Sequence, residues 1–414
     1  MHVLVVTQYF WPENFRINDL VSGLIERGHS VTVLTGIPNY PEGVFFAGYG
    51  FFSNTSQDFN GAKVVRVPIL PRGGGSGLRL ALNYLSFVVS ACLSAPFRCK
   101  EAYDLIFIFE PSPVTVALPA LLLKALFKIP VMFWVQDLWP ESLAATGAVT
   151  SERILGKVAQ LVKFIYRRCD KILITSRSFR ESIERHSGDS GKIGFFPQSA
   201  EDIFQPIADK LIISALKHVP SGFWIMFAGN IGAAQDLPTL MAAAETLKCH
   251  KDIHWLIVGG GRMRAWAEST AIARGLSDNI HFLGRHPLEA MPAFFSCADA
   301  LLVTLKKEPI FALTIPAKIQ SYLACGRPVI AALDGEGARI VMDAGAGYTC
   351  PAEDPDSFAQ AVLRMYKTPK AERETMGMNG RAFYESNFGR EMLLGKLDVW
   401  MKELVEANRE KASS

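Results

Sequence analysis

The run from Trp224 to Ala332 admits few folds. It opens on an apolar strand pattern, WIMFAG, that stops at Gly229, continues through NIGAAQDLPTLMAAAETL, and returns as WLIVGGG ending at Gly261. Strand, glycine turn, helix, strand, glycine turn is the grammar of a parallel α/β unit, in which continuous apolar strands are covered on both faces by crossover helices. Each glycine cluster falls where a strand ends and a helix is due to start. Backbone N–H groups and the positive end of a helix can receive a phosphate there, so an anionic nucleotide is the expected ligand.

The first half repeats the pattern. HVLVVTQYF reads as a strand, INDLVSGLIERGH as an amphipathic helix stopped at Gly28, and SVTVLTG as a second strand. Further strands are expected at KVVRVPI, LIFIFE, PVMFWVQD and KILITS, then at IHFLGR, ALLVTL, RPVIAAL and YTC in the second half. A Pro-containing crossing, Phe195 to Phe204, joins the halves. The chain has 414 residues, enough for two domains of about 200 residues each. The expectation is an α/β protein of two Rossmann-like, doubly wound parallel-sheet domains, residues 1–200 and 201–385, facing a central cleft. A terminal helix at about 386–407 should pack back on the first domain, with a polar tail fraying after Val405.

Composition narrows the function. A net charge of +3 is too mild for a nucleic-acid binder. Seven cysteines, odd in number and without paired metal spacing, suit free thiols in a reducing compartment better than a disulfide frame. The N-terminus has no basic segment leading an apolar core, so a signal peptide is not expected and the cytoplasm is. Asp354-Pro-Asp356 has the form of a Mn²⁺ motif but precedes SFAQAVLRMY and reads as a helix N-cap. His250 and His254 read as surface residues, and neither a metal nor a cofactor is expected.

Leu80 to Phe97 is apolar apart from Asn83 and three serines, with Arg72 and Arg79 before it and Arg98 and Lys100 after. A buried helix is the first reading of this segment, an interfacial helix the second, and a membrane span the third. Arg153 to Arg185 is basic and reads first as a solvated helix face. Together the two stretches also suit an anionic membrane surface. The glycine run at 72–77 reads as a mobile loop leading into the apolar helix.

At this point a family resemblance is visible. FAGNIGAAQDLPTLMAAAE, LIVGGGRMRAWAE, NIHFLGR, CADALLV and IPAKIQSYLACGRPVIA resemble the C-terminal donor domain of retaining GT-B glycosyltransferases of family 4. YFWPENFRINDLVSGLIERGHSVTVLTGIPNYPEG and WVQDLWPESL resemble, more narrowly, the L-fucosamine transferases of bacterial O-antigen and capsule assembly. The resemblance spans nearly the whole chain and rests on the order and spacing of motifs that are individually weak. It implies a nucleotide sugar held by the second domain and an acceptor held by the first.

Carried onto this sequence, the resemblance assigns the donor diphosphate to Gly229, Gly232 and the turn Gly259-Gly260-Gly261-Arg262, with Arg285 nearby. The family's clamping Arg and Lys are replaced by Asn230 and Gln235. Lys318, next to Ala317 at the start of a helix, is the expected substitute cation, with Arg16 and Arg262 in reserve. The family's paired glutamates fall on Leu313 and Ser321. Ser321, aided by Gln320, should hold the ribose more weakly than a carboxylate does, and Glu308 either restores a carboxylate or is plain surface.

In the first domain Gln136 replaces a family His that meets the sugar near its sixth carbon, which suits a 6-deoxy donor. Asp137 or Glu141 is the candidate general base, although Asp137 reads equally well as a helix cap. Asn14 is expected in left-handed geometry in the loop before Arg16, and Arg16 beside the leaving diphosphate.

The implied activity is metal-independent transfer, with retention, of N-acetyl-L-fucosamine or another HexNAc from UDP to a lipid-linked (polyprenyl diphosphate) saccharide. The protein would be peripheral on the inner face of a bacterial cytoplasmic membrane. The alternatives are a UDP-sugar 2-epimerase of the same architecture, a non-catalytic nucleotide-sugar-binding partner, and an NAD-dependent dehydrogenase, against which the sequence has no acidic residue closing a dinucleotide fingerprint after the first strand.

Overall fold

The computed structural model describes residues 1–74, 77–207 and 213–413. Gly75 and Ser76 of the glycine run lie outside the described residues. The chain divides into one unit of Met1–Pro197 with Leu394–Ser414 and a second of Gln198–Leu393.

The first unit is built on strands β1 (His2–Val6), β2 (Ser30–Gly36), β3 (Ser56–Phe59), β4 (Ala62–Val67), β5 (Leu105–Glu110), β6 (Val131–Val135), β7 (Lys171–Ile174) and β8 (Ile193–Phe195). They form one sheet in the order β3-β4-β2-β1-β5-β6-β7-β8, parallel throughout except that β3 runs antiparallel to β4. The central registers pair Val5 with Val33 on one side and with Phe107 on the other. Every residue of β5 and β6 is buried, which is why LIFIFE and VMFWV read as continuous apolar runs. Helices α1 (Arg16–Glu26), α2 (Gly77–Arg98), α3 (Ala117–Phe127), α4 (Glu141–Ala145), α5 (Glu152–Arg168) and α6 (Arg180–Ser187) connect the strands. β3 was not expected, because SQDF alternates in exposure at an edge and carries little apolar signal.

The second unit holds β9 (Phe223–Asn230), β10 (Ile253–Gly260), β11 (Ile280–Gly284), β12 (Ala300–Thr304), β13 (Val329–Ala332) and β14 (Gly347–Cys350). All are parallel, in the order β11-β10-β9-β12-β13-β14. Its helices are α7 (Leu237–Thr246), α8 (Arg264–Ala273), α9 (Met291–Cys297), α10 (Pro309–Leu313), α11 (Ala317–Ala324), α12 (Glu336–Asp343), α13 (Pro355–Lys367) and α14 (Lys370–Asn387). Phe227, Trp255, Ile257, Leu240 and Phe358 centre its core. Asp354 caps α13, accepting from the Ser357 amide at 2.9 Å and the Ser357 hydroxyl at 2.6 Å.

In both sheets the strand order reverses beside the first strand, between β1 and β5 and between β9 and β12. Open parallel sheets bind ligands outside the carboxyl ends of the strands at such reversals. Two positions are thereby singled out, the ends of β1 and β5 in the first unit and of β9 and β12 in the second.

The last helix, α15 (Arg390–Ser413), runs from the second unit into the first. Trp400 packs on Gly194, Lys396 donates to the Phe195 carbonyl at 3.0 Å, and Asp398 accepts from Arg27 at 3.2 Å and pairs with His29 at 2.8 Å. The tail past Val405 does not fray. Asn408 donates to the Lys128 carbonyl at 3.1 Å and Arg409 pairs with Asp104 at 2.7 Å, which keeps the helix wound to Ser413.

Two further expectations are corrected. His254 is buried, not superficial, and faces His281 across β10 and β11 at 3.2 Å. The apolar segment is helix α2, but it is not an ordinary buried helix, since only Asn83, Phe87, Ala91 and Ala95 are buried. Asn83 on the inward stripe and the half-buried Ser90 beside it bond to the rest of the unit. Asn83 accepts from Gln8 at 2.7 Å and donates to the Leu70 carbonyl at 2.5 Å, and the Ser90 hydroxyl donates to the Pro68 carbonyl at 2.5 Å.

Candidate functional site

The donor-side residues gather at the reversal of the second sheet. β9 ends at Asn230, and Gly229 just before it has φ +132°, a conformation a side chain rarely adopts. Its neighbour across the ladder, Gly259, has φ +139° and faces the Gly229 carbonyl so closely that a Cβ would collide with it. The two turns are then laced together. The Ile231 amide donates to the Gly260 carbonyl at 3.0 Å and the Met263 amide to the Ile231 carbonyl at 3.0 Å.

The glycine turn leads first into a 3₁₀ turn, Ala233–Gln235, and then into α7. Asp236 makes the bend in left-handed geometry, φ 47° and ψ 50°. The 3₁₀ turn is fixed to the neighbouring strand: the Thr304 hydroxyl donates to the Gln235 carbonyl at 2.5 Å and the Lys306 amide to the Ala234 carbonyl at 3.0 Å.

Lys318 projects from the first turn of α11 into this corner. Its Nζ donates to Gln235 Oε1 at 2.6 Å and lies 3.6 Å from the centre of the Phe227 ring. A Cβ on Gly229 would meet the Lys318 Cε at 2.8 Å. Burial pushes the ammonium down to about 7, and no other group offsets it. The arrangement is a half-desolvated cation beside a backbone turn, held by an amide and not neutralised by a carboxylate, which is the chemistry of an anion receptor.

Other expected residues fall differently. Arg285 lies against Gly260, where an added Cβ would meet its Nε at 2.6 Å. Arg262 is exposed. Ser321 is buried and its hydroxyl donates to the Ala317 carbonyl at 3.3 Å within its own helix. Glu308 is the exposed N-cap of α10 and restores no carboxylate to the turn. Glu336, which sequence reading missed, is buried at the start of α12 and pairs with Arg339.

In the first unit the acidic groups meet at the ends of β5 and β6. Glu110, the last residue of β5, is fully buried beside the backbone amides of Asp137 and Gln136. Burial, followed by the charge of Asp137, raises its carboxyl well above the usual range. The Gln136 amide donates to the Glu110 carbonyl at 3.1 Å, bringing Asp137 alongside. Asp137 is itself raised, mainly by burial, and accepts from Trp139 Nε1 at 3.3 Å. It does not cap α4, whose N-cap is Pro140 and lacks a side-chain bond. Glu141 accepts from the Ser182 hydroxyl of α6, and Asp137 is the carboxylate two residues past the end of β6.

The loop before α1 is organised by Glu13. Its carboxylate accepts from the backbone amides of Phe10 at 3.2 Å, Asn39 at 2.8 Å and Tyr40 at 2.7 Å. Burial lifts Glu13 to about 7 against the pull of those amides and of Arg66. Asn14 is exposed and not left-handed, because Asn18 closes the turn by accepting from the Trp11 amide at 3.0 Å and donating to the Glu13 carbonyl at 2.7 Å. Arg16 is the first residue of α1. The arginine that shares the strand-end region is Arg72, 5.0 Å from the Tyr40 ring centre, with its amide donating to Asn39 Oδ1 at 3.1 Å. Tyr84 of α2 is raised by burial and feels the charges of Arg72, Asp137 and Glu110, so α2 looks onto the same region.

Two parallel α/β units with polar groups gathered at their reversals define a GT-B glycosyltransferase fold. Residues 14–198 match the family model "Glycosyl transferase 4-like domain" and residues 222–368 match "Glycosyl transferases group 1". The chain belongs to the glycosyltransferases built from these two domains. It is 22% identical to WbjE of Pseudomonas aeruginosa, named as a glycosyltransferase, over 80% of this chain and 81% of that one. It is 28% identical to WcaI of Escherichia coli K12, named as a colanic acid biosynthesis glycosyl transferase, over 79% of this chain and 82% of the other. Among solved structures, Anabaena HepE in complex with UDP is 15% identical with a TM-score of 0.69, covering 97% of this chain and 100% of that one.

Proposed function

We propose that the protein transfers a sugar, N-acetyl-L-fucosamine or another HexNAc, from a UDP-sugar to a lipid-linked saccharide during assembly of a surface polysaccharide. The observation that carries the reading is Lys318, a cation without a carboxylate partner in the described structure, set against the glycine turn at the sheet reversal. The names of WbjE and WcaI support the polysaccharide setting, and the UDP held by HepE supports the nucleotide. The donor diphosphate would lie on the Gly229 turn with Lys318 taking its charge, and Asp137 would accept the proton of the attacking hydroxyl. Retention then needs no protein nucleophile, because the leaving phosphate supports the developing positive charge on the sugar while Lys318 and the turn's N–H groups take up the negative charge that builds on the phosphate. No metal ion is required for this charge arrangement, since Lys318 takes the place of a divalent cation. Gln136, where many relatives of the family carry a His, suits a sugar without a hydroxyl on its sixth carbon. A thermal-shift series with UDP, GDP, dTDP, NAD and UDP-HexNAc sugars tests the reading, because a ligand specific to the folded state raises stability with RT ln(1 + [L]/Kd). A rise with UDP that grows with UDP-HexNAc is expected; no rise with any nucleotide would overturn it.

A further inference from the structure

Helix α2 is amphipathic in the inverted sense. Asn83, Ser86 and Ser90 are hydrogen-bonded to Gln8, Leu70 and Pro68 of the body of the unit, whereas Leu78, Leu82, Leu85, Val89, Leu93 and Phe97 are 41–73% exposed. These residues recur every three or four positions and make one stripe along the 22-residue helix. The helix contains no acidic residue. Exposed apolar stripes of this extent mark a surface that meets something apolar.

The neighbouring helices continue that surface and add charge. α2 packs on α3 and α3 on α5, where Leu122, Leu126 and Phe164 are also exposed. Between the ends of α3 and α5 lies a cavity of about 420 Å³ lined by Lys124, Lys128, Arg167, Arg168 and Asp170. Asp170 is taken by Lys124 at 2.6 Å, and Arg168 covers the Phe164 ring at 3.7 Å. Lys128 and Arg167 have no ion-pair partner among the described residues and remain for an external anion.

We propose that this face of α2, α3 and α5 seats the protein on a bilayer containing anionic phospholipid, with the α2 stripe in the headgroup–acyl boundary and Lys128 and Arg167 on lipid phosphates. An amphipathic face with a basic rim is the chemistry of an in-plane helix. A second copy of the chain is a poorer occupant, since a two-fold contact would set the same cationic rim against itself. Arg98 takes no part, because its guanidinium is turned inward onto the Arg66 and Thr55 carbonyls. The stripe begins near the strand ends: Asn83, less than two turns into α2, is bonded to Gln8 just past the end of β1. A lipid-linked acceptor lying in the bilayer would thus arrive at the strand ends that carry Glu110 and Asp137.

The inference deepens the lipid-linked-acceptor reading and can fail independently of it. The full chain is sedimented with vesicles of phosphatidylcholine alone and with about 30% phosphatidylglycerol, and UDP thermal shift is read separately without vesicles. The wild type should sediment with the anionic vesicles. Leu85→Asp with Leu93→Asp should lower binding at least about tenfold. Lys128→Glu with Arg167→Glu should lower it by about fivefold or more per lost charge, on the anionic vesicles only. Both doubles should keep the wild-type UDP shift, which shows that they fold. A wild type that leaves both vesicles in the supernatant, a stripe variant that binds like the wild type, or a dimer that the stripe variant dissociates with no vesicle binding overturns the inference. Vesicle binding without a UDP shift sinks the transferase reading and leaves the membrane face standing.

Discussion

Lys318 Nζ is held 2.6 Å from the side-chain oxygen of Gln235. An amide there orients the ammonium and leaves its charge uncompensated.

That relationship makes donor binding depend on pH. Burial puts the folded Lys318 at about 7 against an ordinary 10.5, so the empty protein holds fewer protons than the unfolded chain between those values and gains stability as pH rises through them. A diphosphate reverses the preference and draws a proton in. Affinity for UDP-N-acetylglucosamine should be flat below pH 7 and fall towards about tenfold per unit above it. Calorimetry from pH 6 to 9 reads the slope. Lys318→Met should bind at least about tenfold more weakly with no slope, and a wild type that binds equally at both ends of the range refutes the assignment.

Gly229 and Gly232 should answer differently to alanine. At Gly229 a methyl group enters a φ of +132° and displaces Lys318, whereas at Gly232 it meets only the flexible end of Asn230 at 2.7 Å. Gly229→Ala should cost about 1–3 kcal/mol in urea unfolding and abolish the UDP shift. Gly232→Ala should stay within about 0.5 kcal/mol of the wild type. Equal losses from the two substitutions would show that the turn is not shaped around Lys318.

The second sheet was readable because β9, β10, β12 and β13 are apolar runs that end in glycine or small residues, and the first because βαβ periodicity survives from His2 to Gly36. Lys318 could be found by asking what cation replaces the two missing ones. The polar residues of the first unit could not be found that way. Glu110 is one acid at the end of an apolar strand, and its importance comes from β5 lying beside β1, a pairing between distant segments. Glu13 gathers amides from residues 10, 39 and 40, and nothing local to its loop announces that. Helix α2 misled for a related reason. Its composition is that of a core helix, and only its docking shows that Asn83 faces in and the leucines out.

Glu13 should behave as a structural clasp. Removing its carboxylate strands three amides, each costing about 1–3 kcal/mol when buried without a partner. Glu13→Ala should therefore lose about 3 kcal/mol or more, while Glu13→Gln, which keeps one acceptor oxygen for Asn39 and Tyr40, should lose less. Denaturant midpoints at pH 8 separate the two. If alanine costs no more than glutamine, the loop is held by something else.

Glu110 and Asp137 should separate into an acid that stays protonated and a base that turns over. Because Glu110 is raised well above 4.5 when folded, the folded state keeps a proton that the unfolded chain releases, and this group's contribution to stability falls as pH rises past 4.5. Glu110→Gln removes the buried charge problem while keeping a donor of the same shape. It should be as stable as the wild type near pH 5 and more stable near pH 8, and should retain transfer within about fivefold. Asp137→Asn, which cannot accept the acceptor's proton, should lower kcat by about a hundredfold or more and leave UDP binding intact. In the wild type the acid limb of the rate profile should lie above the ordinary carboxylate value of 3.8, because burial raises Asp137. A Glu110→Gln protein that loses activity as fully as Asp137→Asn would reverse the assignment and make the buried strand-end carboxylate the group that takes the proton.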